Sequence, residues 1–281
     1  MSNSTEQQKQ KCAAVNAGLG SIGRKKRFPI EEGQIWKTNQ CGHITIIKYT
    51  NTHDITVRFE NTGTERSARS ASIRSGGVMD YNAPTIYGVG YLGYGNYKAR
   101  ANGKITPQYG CWFNMLTRCY NDKYISKKPT YAQCFVVREW HNFQVFAKWY
   151  DENCPLSKED YHLDKDYTVI GNKKYSPETC VFIPASVNSF MTDNQACRGN
   201  LNIGVMIRKD SGAIRAECSD PFGMGRDYLG QYPSEELAHV AWRRRKSQYC
   251  DELISKYESE KVKRAISNYK YALDNNLIYK V

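Results

Sequence analysis

Residues 203–240 read IGVMIRKDSGAIRAECSDPFGMGRDYLGQYPSEELAHV, and this stretch decides the fold of the C-terminal part of the chain. Ile203 to Arg208 reads as a strand, Asp210-Ser211-Gly212 as a turn, Ala213 to Cys218 as a second strand and Asp227 to Tyr232 as a third. Pro233-Ser234-Glu235-Glu236 then opens a helix. Ser234 is the expected N-cap, and the two glutamates lie in the first turn, where they meet the positive end of the helix dipole. Leu237, Val240 and Ala241, followed by Leu253, Ile254 and Tyr257, give the helix its expected buried face. A second, basic helix is expected over 258–274.

Upstream, 161–190 reads as strand, loop, strand, helix. Leu163-Asp164 and Val169-Ile170 are short strand signals, Gly171-Asn172 is a turn, Val181-Phe182-Ile183 is an apolar patch, and a helix is expected from Ser186 to Met191. Helical spacing puts Trp112, Met115, Leu116 and Cys119 on one face, and Trp140, Phe143, Phe146, Ala147 and Tyr150 on another. Both stripes read as core. Residues 81–109 are rich in Gly and Tyr, but no Walker lysine-serine follows and no βαβ pattern surrounds them, so they read as linker or hairpin rather than a nucleotide site. Over 30–80, Ile44, Ile46, Ile55, Val57 and Phe59 recur with period two between turn signals, which predicts a small barrel or curled sheet. Arg66, Arg69 and Arg74 cluster at its end. Residues 1–29 are polar and then basic, a flexible arm carrying Lys25 and Lys26.

These segments predict an α+β fold in modules: the arm at 1–29, a β-barrel-like module at 30–82, a central region at 83–195, a sheet-helix domain at 196–257, and a helix and tail at 258–281. The length of 281 residues suits two or three small domains. The mean hydropathy of −0.67 and the lack of a long apolar run exclude a chain built to live in a membrane. Residues 1–27 carry no apolar core of a secretory signal, so a cytoplasmic location is expected. The net charge of +12 attracts polyanions, and the 21 tyrosines can stack on bases or bond phosphates. The ten cysteines (Cys12, Cys41, Cys111, Cys119, Cys134, Cys154, Cys180, Cys197, Cys218 and Cys250) are scattered singly, with no C-x-x-C pair. Reduced thiols packed as small hydrophobes are therefore expected, and no zinc.

Ile203-Gly204-Val205, Arg208-Lys209, Gly212, Ala216-Glu217, Tyr228-Leu229-Gly230-Gln231-Tyr232, Glu235-Glu236 and Ala238 resemble the plant ethylene-response-factor, or Apetala-type, DNA-binding domain. The resemblance covers about residues 200–257. It implies a three-stranded antiparallel sheet lying in the major groove with a helix packed behind it. By position, Arg208, Lys209, Arg215, Glu217 and Arg226 would face the DNA, with Tyr228 beside them. The chemistry agrees, since Arg can bond guanine bidentately, Glu can accept from cytosine and Lys can hold phosphate. The family's usual tryptophans fall on Ile214 and Tyr228, which changes the base contacts.

Leu163-Asp164-Lys165-Asp166, Tyr175-Ser176-Pro177-Glu178-Thr179-Cys180-Val181-Phe182 and Asn188 resemble the HNH endonuclease core. Joined to an Apetala-type domain, this is the layout of phage homing endonucleases. The resemblance implies a ββα fold around one divalent cation such as Mg²⁺, with Asp164 and Asn188 at the metal positions. The general-base position falls on Lys165, which beside two carboxylates should stay protonated. His162 and Asp166 are the residues able to replace it, and the motif's middle Asn falls on Thr179. The expected partner is double-stranded DNA and the expected setting the cytoplasm of a phage-infected bacterium. Two other readings stand beside the nuclease: a catalytically inactive DNA-binding regulator, and a phage factor that binds and inhibits a host protein.

Overall fold

The computed structural model describes residues 28–166, 171–192 and 200–277. The basic arm with Lys25 and Lys26, the strand expected at Val169-Ile170, and Cys12 and Cys197 lie outside the described residues. The fold is mixed α+β, with several small sheets. No helix among the described residues is long and apolar enough to cross a membrane. The chain divides into two compact units, one running to Ala99 and including His141–Gln144, the other formed by Arg100–Trp140 and Val145 onward.

In the first unit, β1 (Ile35–Lys37), β2 (His43–Asn51), β3 (Asp54–Phe59) and β4 (Glu65–Ala68) form an antiparallel meander in sequential order. The period-two pattern builds its core. Ile44 pairs with Phe59 and Ile46 with Val57, and all four are buried together with Ile55. Of the two forms expected, barrel or curled sheet, the strands take the open one, because β1 and β4 do not pair. Closure is unnecessary: Ile73 on the short helix α1 (Ser70–Ser75), then Val78 and Ala83, cover the apolar face. The Gly-Tyr segment is held by one side chain. Gln144 Nε2 donates to the carbonyls of Leu92 (3.1 Å) and Tyr97 (3.0 Å), and its Oε1 accepts from Tyr97 N.

The second unit begins with a hairpin, β5 (Arg100–Ala101) and β6 (Lys104–Ile105), and the helix α2 (Pro107–Tyr120). Thr106 caps α2, Pro107 fits its first turn, and Trp112, Met115, Leu116 and Cys119 form its buried face as the spacing predicts. Then follow α3 (Asp122–Lys127), β7 (Phe135–Val136) and α4 (Phe143–Asn153), which belongs to this unit from Val145 onward. Trp112 Nε1 donates to Trp140 O at 2.7 Å, so the two aromatic stripes share a core and satisfy the indole. β8 (Tyr161–Asp164), β9 (Lys174–Tyr175), β10 (Val181–Pro184) and α5 (Ala185–Met191) follow, with β8 and β10 antiparallel.

β11 (Val205–Ile207), β12 (Ile214–Ser219) and β13 (Arg226–Tyr232) make an antiparallel sheet in that order, backed by the 22-residue helix α6 (Glu235–Lys256) and followed by α7 (Glu260–Asp274). Ser234 caps α6 by accepting from Leu237 N. The buried face of α6 differs from expectation. Leu253 is buried as expected, with Ala241, Ile254 and Tyr257 packed against the cores, but Leu237 is half exposed and the stripe runs through Ala238, Trp242, Tyr249 and Cys250. The apolar pattern misleads because the inward stripe passes through Lys246 inside a basic run, while the sheet's small Ala216 needs a small partner, Ala238. The eight described cysteines are all free, and Cys41, Cys119, Cys134, Cys180, Cys218 and Cys250 are buried as small hydrophobes.

One core joins the strand-strand-helix segment to the sheet-helix segment. Val181, Ile183, Val187, Phe190 and Met191 pack with Trp242, Tyr249, Leu253, Ile266 and Tyr269. Trp242 reaches this position because Gly204 leaves room. Gly204 has φ of +78°, and a Cβ there would lie 2.0 Å from the indole. Gly204→Ala therefore meets both left-handed strain and overpacking, and should lower stability by about 2–5 kcal/mol. Urea unfolding followed by tryptophan fluorescence measures the effect. A midpoint equal to wild type would show that the indole does not need the glycine.

Candidate nucleic-acid interface

The sheet of β11, β12 and β13 has two unlike faces. Val205, Ala216 and Cys218 turn toward α6 and are buried. Alternation then sends Arg215, Glu217 and Ser219 to the opposite face. The register adds their neighbours: Arg215 stands between Met206 and Gln231, Glu217 beside Tyr228, and Ser219 beside Arg226. A bulge at Ala216/Glu217 shifts the pairing with β13, so that Tyr228 and Gln231 both reach the outer face despite their odd spacing.

On this face the Arg215 guanidinium sits 5.4 Å from the Tyr228 ring centroid. Among the described residues Arg215 Nε has no hydrogen-bond partner, so stacking rather than an ion pair holds the side chain. Arg226 approaches Glu217 at 3.9 Å. Tyr228 is 57% exposed and Met206 45%, which makes the face a mixed aromatic, apolar and charged surface. Arg208 and Lys209 lie at the β11–β12 turn, both exposed, with Arg208 Nε donating to Asp210 Oδ1 at 2.7 Å. Four of the residues picked from sequence, Arg215, Glu217, Arg226 and Tyr228, thus share one face, and two sit at its end. Met206 and Gln231 were missed. Their signal was the strand register, which becomes legible only once the bulge is known.

Behind the sheet, Asp227 fastens β13 to α6. Its Oδ2 accepts from Arg245 Nε at 2.7 Å and from the Tyr249 hydroxyl at 2.6 Å. These two bonds, that from Tyr249 first, hold the Asp227 carboxyl below its ordinary value.

The HNH-like residues meet in a cleft of about 510 Å³. His162 and Asp164 sit two residues apart on β8 and so share a face, and α5 brings in Asn188. Asn188 Nδ2 donates to His162 Nδ1 at 3.2 Å, which puts the proton of a neutral ring on Nε2. Asp164 Oδ1 accepts from Asp166 N at 2.9 Å, turning the chain sharply after β8. Arg118 of α2 and Lys173 also line the cleft. Neither was singled out in the sequence, because no pattern there links them to β8.

Lys165 and Asp166 line the same cleft, with the lysine buried. Lys165 is 3% exposed. Its Nζ bonds Asp166 Oδ1 and the Asn172 carbonyl (2.9 Å), and sits 5.6 Å from the Tyr175 ring centroid. Burial works against its charge, but the Asp166 hydrogen bond and charge, aided by Cys134 and Asp164, hold Lys165 above the ordinary lysine range. A protonated amine has no lone pair with which to take a proton. Asn172 completes the unit by donating to the carbonyls of Lys165 and Lys174. Thr179, at the motif's middle position, donates to Lys174 O at 2.8 Å and so braces the same loop.

Among the described residues no three His, Cys, Asp or Glu side chains gather to hold an ion. The cleft offers one carboxylate at the metal position, Asp164, with the Asn188 amide. Hard oxygen donors so few in number fit a Mg²⁺-type ion that keeps most of its water and takes phosphate oxygens as further ligands. They do not fit an ion caged by protein alone.

Comparison of the chain with protein-family models, curated proteins and solved structures gave no match.

The Asp227 geometry makes a testable statement about acid. A carboxyl with a lowered folded pKa contributes stability that is fully present above the unfolded value, about 3.9, and is lost as pH falls through the folded value. Asp227→Asn should therefore be less stable than wild type at neutral pH, and the gap should close below about pH 4. Urea midpoints measured from pH 7 down to pH 2 provide the check. A gap that persists unchanged at the acid end would assign the loss to packing instead of charge.

Proposed function

We propose that the chain is a double-stranded DNA-binding protein that reads sequence with the outer face of the β11–β12–β13 sheet. The observation that carries this reading is the register that gathers Arg215 and Glu217, both half-buried, with the exposed Tyr228 and Arg226 on one face. A major groove admits strands, and its base edges match these side chains. Arg215, stacked on Tyr228, presents a planar fork suited to guanine O6 and N7. Glu217 can accept from a cytosine amine. Arg226, Arg208 and Lys209 supply phosphate contacts, and the net charge of +12 supplies the long-range attraction.

A second reading, phosphodiester hydrolysis in the manner of HNH nucleases, is favoured by the convergence of His162, Asp164 and Asn188 in one cleft. Asp164 and Asn188 are the residues that would hold a Mg²⁺-type ion, which when bound would stabilise charge on the scissile phosphate and leaving oxygen. Arg118 and Lys173 would hold the phosphate by charge. His162, with its proton on Nε2 in the orientation set by Asn188, would donate to a phosphate or leaving oxygen before it could act as a base. Asp166 is engaged by the Lys165 ammonium and is therefore not a free base. The competing reading, a catalytically inactive regulator, keeps the sheet and loses the cleft's chemistry. Both readings set the protein at work in the cytoplasm of a phage-infected bacterium, and the groove-compatible residues of the outer face disfavour the third reading, a host-protein inhibitor.

Binding of labelled duplexes, followed by fluorescence anisotropy at several salt concentrations, separates these roles. Arg215→Ala should cost about 1–3 kcal/mol on the preferred site and relax preference there. Lys209→Ala should weaken all sequences alike and reduce the slope of log K against log salt by about 0.9. If both variants act identically on every duplex, the sheet is not the reader.

Incubation of a preferred duplex with Mg²⁺ or Mn²⁺ tests the cleft. An active nuclease nicks it, and Asp164→Ala abolishes nicking while leaving anisotropy within twofold of wild type. Wild-type protein that binds tightly and never nicks supports the regulator.

A further inference from the structure

A second cavity, of about 570 Å³, opens beside the sheet, and Met206, Glu217, Ser219 and Arg226 of the outer face reach its wall. Its walls come from the end of α5, from β11 and from α6 and α7, and Lys246 lines it. Lys246 is 6% exposed. Its Nζ lies 3.5 Å from the centroid of Phe190 and 5.7 Å from that of Trp242. No carboxylate pairs with it among the described residues. Its other close groups are the thiols of Cys218 on β12 and Cys250 on α6, which burial pushes up to about 11 and about 12, so both are neutral. The one carboxylate on the cavity wall, Glu217, faces Arg226 at 3.9 Å. The wall thus carries one uncompensated positive charge, held out of water. Burial pushes the Lys246 amine down to about 8, where it is still mostly protonated at neutral pH.

Lys165, in the same unit, shows what a satisfied buried lysine looks like, with a carboxylate and a carbonyl on its ammonium. Lys246 has two aromatic faces, which stabilise a cation but neutralise nothing. We infer that this cavity binds a phosphate group, with the Lys246 ammonium as its buried counter-charge and Arg226 at the exposed edge. Ser189 and Ser219 on the wall offer hydroxyl donors for the remaining oxygens. Phosphate would then supply the missing anion, and the affinity would come from relieving an isolated buried charge. The same chemistry is offered by a DNA backbone phosphate and by free phosphate.

Thermal unfolding of the full chain tests this with inorganic phosphate against chloride at equal ionic strength. Phosphate should raise the wild-type Tm by a few degrees. Lys246→Met, which removes the isolated charge but keeps the stem, should melt higher than wild type without phosphate and should not respond to it. Lys246→Arg, which keeps the charge, should respond, and serves if the Met variant folds poorly. An equal rise in wild type and Lys246→Met, or no rise in either, overturns the site. The DNA arm identifies the source. If Lys246→Met lowers the salt slope of duplex binding by about 0.9, the backbone supplies the phosphate. If duplex binding is unchanged while only wild type responds to inorganic phosphate, the ligand is free phosphate. Neither arm depends on Arg215, so failure here leaves the sheet reading standing, and failure of the sheet reading leaves this cavity standing.

Discussion

The second unit depends on the seat of Trp242 against Gly204. The indole projects from α6 onto a backbone position where no Cβ can be tolerated, and from there it enters the core that also holds Phe190, Tyr249 and Tyr269. That one contact brings the start of β11 to the helix, and with it the register of β12 and β13. It also brings α5 to α6, so the strand-strand-helix segment and the sheet lean on a common wall. The outer face of the sheet and a cleft bounded by α5 and α7 are both consequences. The geometry of either would degrade if α6 moved, which is why the Asp227–Arg245–Tyr249 tie at the far end of the sheet matters beyond its own energy.

The two buried lysines show how one residue type is used in opposite ways. Lys165 is wrapped by Asp166, the Asn172 carbonyl and the Tyr175 ring, and its charge is favoured despite burial. It stabilises the turn that follows Asp164 and so positions the cleft without taking part in proton transfer. Lys246 has only aromatic faces and neutral thiols, and its charge is disfavoured. A buried ion pair with good hydrogen bonds is close to neutral for stability, whereas an isolated buried charge is a cost that persists until a counter-ion arrives. The first arrangement is that of a scaffold, and the second is the one on which the proposed phosphate site rests.

Much of the fold was legible because it rests on local chemistry. Ser234 as N-cap, the alternation of Ile44, Ile46, Ile55, Val57 and Phe59, and the Trp112–Cys119 stripe all depend on neighbours along the chain. What was not legible depends on tertiary partners. The buried face of α6 is set by Gly204 and Ala216, neither of which belongs to the helix, and it admits a lysine that any apolar pattern excludes. The open first sheet is a similar case, since its cover comes from Ile73, Val78 and Ala83 beyond the last strand. For the candidate sites, residue types could be picked from sequence, but the bulge that aligns Tyr228 with Glu217 and the approach of Arg118 to β8 required the fold.

The outer face of the sheet carries a further constraint. Arg215 and Arg226 are both exposed enough to meet a polyanion, yet each is restrained, one by stacking on Tyr228 and the other by Glu217. Free arginines lose rotamer freedom when they bind, and restraint in advance reduces that loss. The restraint differs in kind. The Arg215 guanidinium has no anionic partner to give up, although its Nε is buried, while Arg226, facing a carboxylate, must exchange that partner for a new one. Arg215 is therefore suited to hold a base edge with little reorganisation, and the Arg226–Glu217 pair is suited to discriminate, because separating it leaves a carboxylate that only a donor-bearing base can satisfy. In the proposed DNA-reading role, a face built this way would gain sequence preference from the carboxylate and affinity from the arginine on Tyr228.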